Sequence, residues 1–431
     1  MIRQVQPFSD VLARCLRGGM AQHHLHLLDA RLQGSSRFCV RQFRSCVSNL
    51  ETLVVDPFRW ARPSIHHSAL FVRAVFPNSC YVGKIVVSAV PQKAYRRSGV
   101  AKKFINDPQD ILMETLEGLV AAYHGSLKLV EGFAALTRRE IPEGKVALLI
   151  GGGSGHEPLF HGFVGENLAD GAACGAFFTS PSPDVILAAT RAIHRGNGVL
   201  YVYGNYAGDN LNFDIAAELA EDEGITVKTV RIWDDVYSAP LDEIEQRRGI
   251  SGDIFVVKVA GAAAATLGTL DEVYHVTAKA RDNTRSIGVA AEPGTNPVTG
   301  NAFFELAEDE IEIGMGVHGE PGVSREKMAP VDELVARLMG DILVDLPFQP
   351  DDRVCLLINS LGSTTVTEML IINRCVREIL QAHHIAVHDT QIGHFAGSQE
   401  MAGFSISLMK LDDELQRYYD MPCKSLGLTK Q

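Results

Sequence analysis

The sequence lacks the features of membrane-spanning and disulfide-stabilised proteins. No apolar run within its 431 residues reaches the roughly 18 that a transmembrane helix needs, so we predict no membrane partner. None of its eight cysteines forms a Cys-x-x-Cys pair, and their dispersion in so long a chain favours reduced thiols over a disulfide framework. We therefore expect a cytoplasmic protein.

Acidic residues are scarce in the first part of the chain. Residues 1–100 contain 14 Lys and Arg but 4 Asp and Glu, whereas the remaining residues contain 26 and 48. We interpret residues 1–99 as a basic extension that is disordered, or as upstream sequence read from a start codon placed too early. A transit peptide and a basic nucleic-acid arm are the alternatives. Overall, the net charge of −12 argues against a nucleic-acid partner.

Beyond residue 100, short β-branched runs alternate with helical patterns. This alternation predicts an α/β protein with mainly parallel or mixed sheets flanked by helices. We place a first α/β domain at 101–280 and a second at 281–431. A first helix is expected to begin with Asp107 as N-cap and Pro108 at its first position. The predicted strands are 145–150, 198–204, 225–233, 253–259, 286–292, 310–317, 353–362, 385–393 and 403–411, and further helices are expected at 182–194, 212–224 and 364–382.

Three of these strands end in loops that carry His156, Asp209 and His318. Ligands of open α/β sheets bind at the carboxyl ends of strands, so we expect the substrate cleft at these loops. Glycines in them let a small ligand approach the backbone. The loops are GGGSGHEPLFHG (151–162), NYAGDNLNFD (205–214) and HGEPG (318–322).

The first of these loops fails the common glycine-rich motifs. A phosphate-binding P-loop would need a lysine after Gly155, and both the dinucleotide and the hydrolase motif would need glycine at His156. His156 and His161 are five residues apart and would not share a helix face as zinc ligands. We therefore predict no cofactor or metal bound by this chain, and a loop that suits the hydroxyls or carbonyl of a small polar substrate.

Two histidines and an aspartate allow a division of chemical roles. A neutral imidazole accepts a proton near pH 7 or adds to a carbonyl carbon, and an aspartate polarises a hydroxyl. Taken singly, each residue has a simpler interpretation. Asp209 precedes a helical pattern and would serve as a helix cap, and the histidines would be hydrogen-bonded loop residues. The residues alone leave both interpretations open.

Residues 101–427 resemble the dihydroxyacetone-binding subunit of dihydroxyacetone kinases over their whole length. The resemblance rests on blocks that occur in the family's order: KKFIND, LIGGGSGHEP, FTSPSPD, NYAGDNLNF, RRGISG, GAAAA, GVHGEPG, NSLGSTT and GFSISLMKLDDE. It implies two α/β domains, a homodimer, and a substrate bound covalently as a hemiaminal on a histidine. That histidine would be His318.

The same resemblance implies further site residues. Gly153, Ser154, Gly155 and His156 would line the substrate, with His156 as proton acceptor, and Asp209 would contact the hydroxyl that is phosphorylated. The best-known members carry a lysine directly before the Asn-Tyr of the second loop, where this chain has Gly204. This departure favours a longer ketose, such as erythrulose, as an alternative to dihydroxyacetone.

Single-chain members of the family append a nucleotide-binding domain that is not evident here. The resemblance therefore implies a multi-component kinase, in which a separate subunit carrying ADP or ATP with Mg²⁺ delivers phosphate. A phosphotransferase-system protein would recharge that donor. The alternative from another class is a non-catalytic co-activator that binds dihydroxyacetone. A lyase or aldolase is disfavoured, because no candidate Schiff-base lysine lies near these loops.

Overall fold

The computed structural model describes residues 103–431 and the backbone of four short strands nearer the N-terminus. These are β1 (Thr52–Val55), β2 (Ala69–Leu70), β3 (Val72–Val75) and β4 (Val87–Ser88), with β1 antiparallel to β3 and β2 antiparallel to β4. Apart from these strands, the predicted extension at 1–99 lies outside the described residues. The contacts divide the chain into two units, Met1–Arg97 and Ser98–Gln431.

The first half of Ser98–Gln431 is built on a six-stranded mixed sheet with strand order β10-β9-β7-β8-β6-β5. Its centre is parallel, from β10 through β9 and β7 to β8, and β6 and β5 add antiparallel strands at one edge. The strands are β5 (Leu127–Leu129), β6 (Ala135–Arg138), β7 (Ala147–Ser154), β8 (Gly171–Phe177), β9 (Val199–Gly204) and β10 (Val227–Ile232). The helices are α1 (Ile111–Ala122), α2 (Pro183–Ile193), α3 (Ala207–Asp222), α4 (Asp253–Thr266) and α5 (Leu270–Asp282).

The second half carries another six-stranded mixed sheet, with strand order β13-β12-β11-β16-β14-β15. Only the β14–β15 pair of this sheet is parallel. The strands are β11 (Thr284–Glu292), β12 (Glu310–Ile313), β13 (Ser324–Lys327), β14 (Arg353–Ser360), β15 (Ala386–Gly393) and β16 (Ala402–Leu411). Helices α6 (Val331–Asp345), α7 (Val366–Ala382) and α8 (Asp413–Asp420) and the short pair β17 (Cys423–Lys424) and β18 (Thr429–Lys430) complete it.

Local sequence explains several of these boundaries. Helix α7 begins at a capping box in which Thr365 and Glu368 satisfy each other's backbone N–H groups, and Thr269 and Glu272 do the same for α5. The strands at the centre of the first sheet are buried on both faces, as parallel strands covered by helices should be. The predicted α/β architecture with mixed sheets is confirmed. The division into domains near residue 280 stays a prediction.

One predicted strand was wrong and two predicted helices begin elsewhere, since the helix expected at 212–224 begins at Ala207. Residues 253–259 form the first half of α4 and not a strand, because the segment continues into four alanines, which favour a helix. Every residue from Asp253 to Ala264 is buried. A helix that is apolar all round has no periodic pattern to distinguish it from a buried strand. Helix α1 begins at Ile111, later than expected, because the Asp107 carboxylate accepts the Gln109 N–H at 3.0 Å in a preceding turn.

The largest hydrophobic cluster joins the two halves of Ser98–Gln431. It contains strand residues of the first sheet such as Leu148 and Val202, most of α4, and Leu357 and Met409 of the second sheet. The helix α8 that follows β16 also packs on α4. Among the helices of the described residues, none is both long and apolar enough to cross a bilayer.

Candidate active site

The carboxyl ends of strands from both sheets meet at one cavity. His156 follows β7, Asp209 lies in the first turn of α3 just after β9, and His318 follows β12, and all three line this cavity. The predicted cleft at the strand ends is therefore present. The cavity is also lined by Gly152, Gly153, Leu159, Phe160, Gly204, Tyr206, Gly249, Ile250, Asp253, Val317, Ala396 and Gly397.

The two histidines contact each other although 162 residues separate them in the chain. The Nε2 atoms of His156 and His318 lie 3.0 Å apart. Phe178 stacks on the His156 ring with 4.8 Å between ring centroids, and it meets the edge of His318 at 5.0 Å. Tyr206 contacts His318 from another side, also at 5.0 Å. The aromatic side chains thus fix the positions of both imidazoles.

Glu320 orients the His318 ring. Its carboxylate lies 2.8 Å from His318 Nδ1 and accepts the His318 backbone N–H at 2.9 Å. Because an ionised carboxylate only accepts, Nδ1 carries a hydrogen and Nε2 faces the cavity. Burial by itself would raise the pKa of Glu320, but its hydrogen bond and charge interaction with His318 lower that pKa to about 2. Glu320 therefore remains a carboxylate over the whole physiological range.

His156 is a neutral imidazole with its free nitrogen directed at His318. Its Nδ1 lies 2.9 Å from the Gly397 carbonyl oxygen, which only accepts, so the hydrogen sits on Nδ1 and the lone pair on Nε2. Burial, followed by the neighbouring His318, lowers the pKa of His156 to about 3. His156 is placed to accept a proton at this point of the cavity.

Asp209 does not act as the cap of its helix. The N-cap position of α3 is Tyr206, which has no side-chain cap hydrogen bond, and Asp209 stands within the first turn. The Asp209 side chain is buried, and its Oδ1 has no hydrogen-bond partner among the described residues. Burial raises the pKa of Asp209 to about 6. Asp209 Oδ1 is therefore a buried acceptor whose hydrogen-bonding capacity no described protein group satisfies.

Ser154 and Gly155 of the first loop use their polar groups in hydrogen bonds within the protein. The Ser154 hydroxyl donates to the Gly175 carbonyl at 2.8 Å, and the Gly155 N–H donates to the Glu157 carboxylate at 3.1 Å. Gly153 lines the cavity, and a Cβ added to it would lie 2.7 Å from the Thr179 nitrogen. Direct contact of Ser154 and Gly155 with substrate stays a prediction.

Sequence reasoning missed Glu320 and Asp253 as site residues. Glu320 stands two residues after His318, and a carboxylate at this spacing from a histidine is a usable signal for a fixed tautomer. Asp253 gave no such signal, since its segment resembled a strand.

Within the described part of the chain, no group of three or more His, Cys, Asp or Glu residues is arranged to hold a metal ion.

The chain is similar to known proteins over most of its length. A model of the family described as the Dak1 domain matches residues 117–427. The chain is 44% identical over 324 residues to the dihydroxyacetone-binding subunit of the PTS-dependent dihydroxyacetone kinase 2 of Listeria innocua serovar 6a, covering 75% of this chain and 97% of the relative. It is 38% identical over 329 residues to an L-erythrulose kinase of Pectobacterium atrosepticum, covering 75% of this chain and 56% of that relative. The crystal structure of the dihydroxyacetone kinase of C. freundii superposes with a TM-score of 0.70 at 30% identity, covering 77% of this chain and 61% of that chain.

Proposed function

The chain belongs to the family of the Dak1 domain, and from this membership we propose that it is the substrate-binding subunit of a multi-component dihydroxyacetone kinase. The observation that carries the proposal is the His318 ring, which Glu320 holds with Nε2 facing the cavity. A nucleophilic nitrogen in a small cavity next to a neutral base suits the reversible capture of a ketone.

In the proposed reaction, the lone pair of His318 Nε2 forms a bond to the ketone carbon. The π electrons of the carbonyl move onto its oxygen, which takes up a proton from solvent. The ring releases its Nδ1 hydrogen to solvent by way of Glu320, which returns to its carboxylate form, so one proton is taken up and one is released. The product is a hemiaminal that retains all atoms of the sugar. Glu320 supports this step because its carboxylate compensates the positive charge that develops on the imidazole. A polyol has no carbonyl carbon, so it would not be captured in this way.

Asp209 and His156 would then serve phosphoryl transfer. The unpaired Oδ1 of Asp209 would accept the hydrogen of the hydroxyl that attacks the phosphoryl donor. His156 would exchange a proton with the hemiaminal oxygen through its free Nε2. The donor would be ADP or ATP with Mg²⁺ on a partner subunit, recharged by a phosphotransferase-system protein. We further propose that this chain works as a homodimer in the cytoplasm.

Erythrulose is the second candidate substrate. Gly204 lines the cavity where the family resemblance implies a lysine, and the absence of a side chain leaves space for a fourth carbon. A relative that matches 75% of this chain is an L-erythrulose kinase. A ligand-sensing co-activator would need only His318, so the unpartnered Oδ1 of Asp209 and the neutral His156 favour a catalytic subunit.

The capture of a ketose by His318 is tested by mass spectrometry of the intact protein. With dihydroxyacetone present and rapid or reductive trapping, we expect a mass increase of one ketose per chain. His318→Ala should abolish this increase, because no nucleophile remains at that position. His275→Ala, at an exposed position in α5, is the matched control and should retain it. An adduct of unchanged yield in His318→Ala would overturn the proposal.

Phosphoryl transfer is tested separately by reconstitution. The isolated chain should bind ketose without turning it over, and adding a nucleotide-loaded donor subunit should give phosphorylated ketose. A panel of dihydroxyacetone and both erythruloses would identify the preferred substrate. Capture of ketose without any transfer in the presence of an active donor subunit would favour the co-activator instead.

A further inference from the structure

We infer that Asp253 is a second hydroxyl-binding residue of the cavity, which selects ketones with a hydroxyl on both sides of the carbonyl. This inference rests on the proposed function, because it concerns the same ligand. The substrate class is therefore the 1,3-dihydroxyketone unit shared by dihydroxyacetone and erythrulose. In this arrangement His318 holds the carbonyl carbon, Asp209 takes one flanking hydroxyl and Asp253 takes the other.

Asp253 is buried in the cavity wall, and one of its two carboxyl oxygens lacks a hydrogen-bond partner among the described residues. It is the first residue of α4, its side chain is 2% exposed, and it lines the cavity together with Asp209 and His318. Its Oδ1 has no hydrogen-bond partner among the described residues. A buried polar atom without a partner destabilises a fold, so its presence at a cavity indicates that a ligand supplies the missing hydrogen bond.

The neighbouring Asp234, unlike Asp253, is a carboxylate with a structural role. Its two oxygens accept the backbone N–H groups of Ile250 and Gly252, each at 2.8 Å. These bonds hold the turn that leads into α4. The turn is therefore already stabilised without Asp253. The structural requirement for a carboxyl group here is met by Asp234.

Two glycines leave room around the Asp253 carboxyl. A Cβ added to Gly204 would lie 3.4 Å from Asp253 Oδ2, and one added to Gly249 would lie 2.9 Å from Oδ1 and 2.6 Å from the Gly204 Cα. Both glycines line the cavity. A side chain at either position would press against the carboxyl group, so the glycines leave the cavity space beside it unfilled.

The charge state of Asp253 suits a hydroxyl partner. Burial raises the pKa of Asp253 well above its ordinary value, and the nearby carboxyl groups of Asp234 and Asp209 raise it further. A neutral carboxyl group both donates and accepts a hydrogen bond, as a hydroxyl group also does. It would bind a polar, uncharged sugar without leaving an unpaired charge in the cavity.

The experiment compares two ketones that differ by one hydroxyl. Dihydroxyacetone has hydroxyls on both sides of the carbonyl, whereas hydroxyacetone has one. For the full chain, we expect dihydroxyacetone to bind about tenfold more tightly or better, which corresponds to one satisfied hydrogen bond in a buried site. In Asp253→Ala the two ketones should bind about equally, and hydroxyacetone should keep its wild-type dissociation constant. Asp253→Asn, which retains the shape, should give an intermediate preference.

Measurements of thermal stability and a matched Asp234 variant distinguish a ligand-selecting role of Asp253 from a purely structural one. Asp253→Ala should raise the midpoint of thermal unfolding of the ligand-free protein, because it removes an unpartnered buried group. Asp234→Asn should lower the midpoint and leave the preference between the two ketones unchanged. Equal weakening of both ketones in Asp253→Ala and Asp253→Asn, or failure of both variants to fold, would overturn the inference. If the wild-type chain captured neither ketone at His318, the proposed function itself would fall, and this inference with it.

Discussion

At the scale of single residues, the site depends on three carboxyl groups in different states. Glu320 is paired with His318 and its pKa is lowered to about 2, whereas burial raises the pKa of Asp209 to about 6 and that of Asp253 well above its ordinary value. Pairing with His318 explains the lowered pKa of Glu320, and burial is the main cause of the raised pKa of Asp209 and of Asp253. The Oδ1 atoms of Asp209 and Asp253 have no hydrogen-bond partner among the described residues. In the proposed reaction, Glu320 orients the His318 nucleophile, and Asp209 and Asp253 bind the hydroxyls of the substrate.

Asp209→Asn should separate capture from turnover. An amide does not accept the hydroxyl proton, so we expect turnover in the reconstituted kinase to fall by about a hundredfold or more. Capture of the ketose at His318 should remain, as measured by intact mass. In the wild-type protein turnover should rise with pH through about 6 as Asp209 loses its proton, and this rise should be missing in the variant. Equal activity of the two proteins would refute the catalytic assignment.

Asp209 should also leave a signature in the pH dependence of stability. Because the pKa is raised in the folded state, the folded protein binds more protons than the unfolded chain between about pH 4 and its folded pKa of about 6. The free energy of unfolding therefore declines as pH rises through this window, by about 3 kcal/mol at most. Asp209→Asn should lack this contribution. Denaturant titrations of both proteins at several pH values would measure the difference.

At the scale of elements, the loop after β12 depends on glycine for a specific reason. A Cβ added to Gly316 would lie 2.2 Å from Glu320 Oε2 and 2.6 Å from Arg248 Nη1. A side chain at this position would therefore displace the carboxylate that orients His318. Gly314 and Gly319 have φ values of +75° and +85°, in the left-handed region that favours glycine. The glycines of this loop thus permit its backbone conformation and leave space for the Glu320 carboxylate beside His318.

Gly316→Ala should weaken ketose capture without unfolding the protein. Loss of the Glu320 contact removes a charge-assisted hydrogen bond to His318, so we expect about a tenfold lower affinity for dihydroxyacetone. Glu320→Gln should change the affinity in the same direction. Gly340→Ala is the matched control, because nothing lies within 4 Å of its added Cβ in α6, and it should leave capture unchanged while adding about 0.5 to 1 kcal/mol of stability. Unaltered capture in Gly316→Ala would contradict the assigned function of Glu320.

At the scale of the whole molecule, the site exists because two sheets are held in one arrangement. His156 follows a strand of the first sheet and His318 a strand of the second. A buried ion-pair network links the same regions, since Asp345 of α6 pairs with Arg247, ahead of α4, and with Arg285 of β11. A shift of one sheet relative to the other would separate the two imidazoles. The shared hydrophobic cluster opposes such a shift.

A chain of residues 98–431 should retain the activity of the full-length chain. The described core clusters and every residue that lines the cavity belong to this part. We therefore expect the shortened protein to capture dihydroxyacetone with the same dissociation constant and to unfold at the same temperature. Calorimetry and intact-mass measurements on both proteins would check this. A marked loss of affinity would show that residues 1–97 contribute to binding.

The sequence by itself determined most strands of the two six-stranded sheets, half of the α-helices of residues 103–431 and the three loops that carry the chemistry. These elements can be predicted without a structure, because hydrophobic patterns of period two or 3.6 and capping residues extend over only a few positions. Helix α4 was not predicted, because it is buried on all sides and its sequence shows no alternation of apolar and polar faces. The likeness to a known family suggested His156, Asp209 and His318, which the residues alone left open.

Only the tertiary structure decided which side chains meet and in what state. The 3.0 Å contact between His156 and His318 joins loops 162 residues apart, and no local pattern specifies such a distance. The pairing of Glu320, the unpartnered oxygens of Asp209 and Asp253 and the resulting pKa shifts follow from burial and neighbours. Burial is a property of the packed chain, because it depends on what every other segment places around a residue.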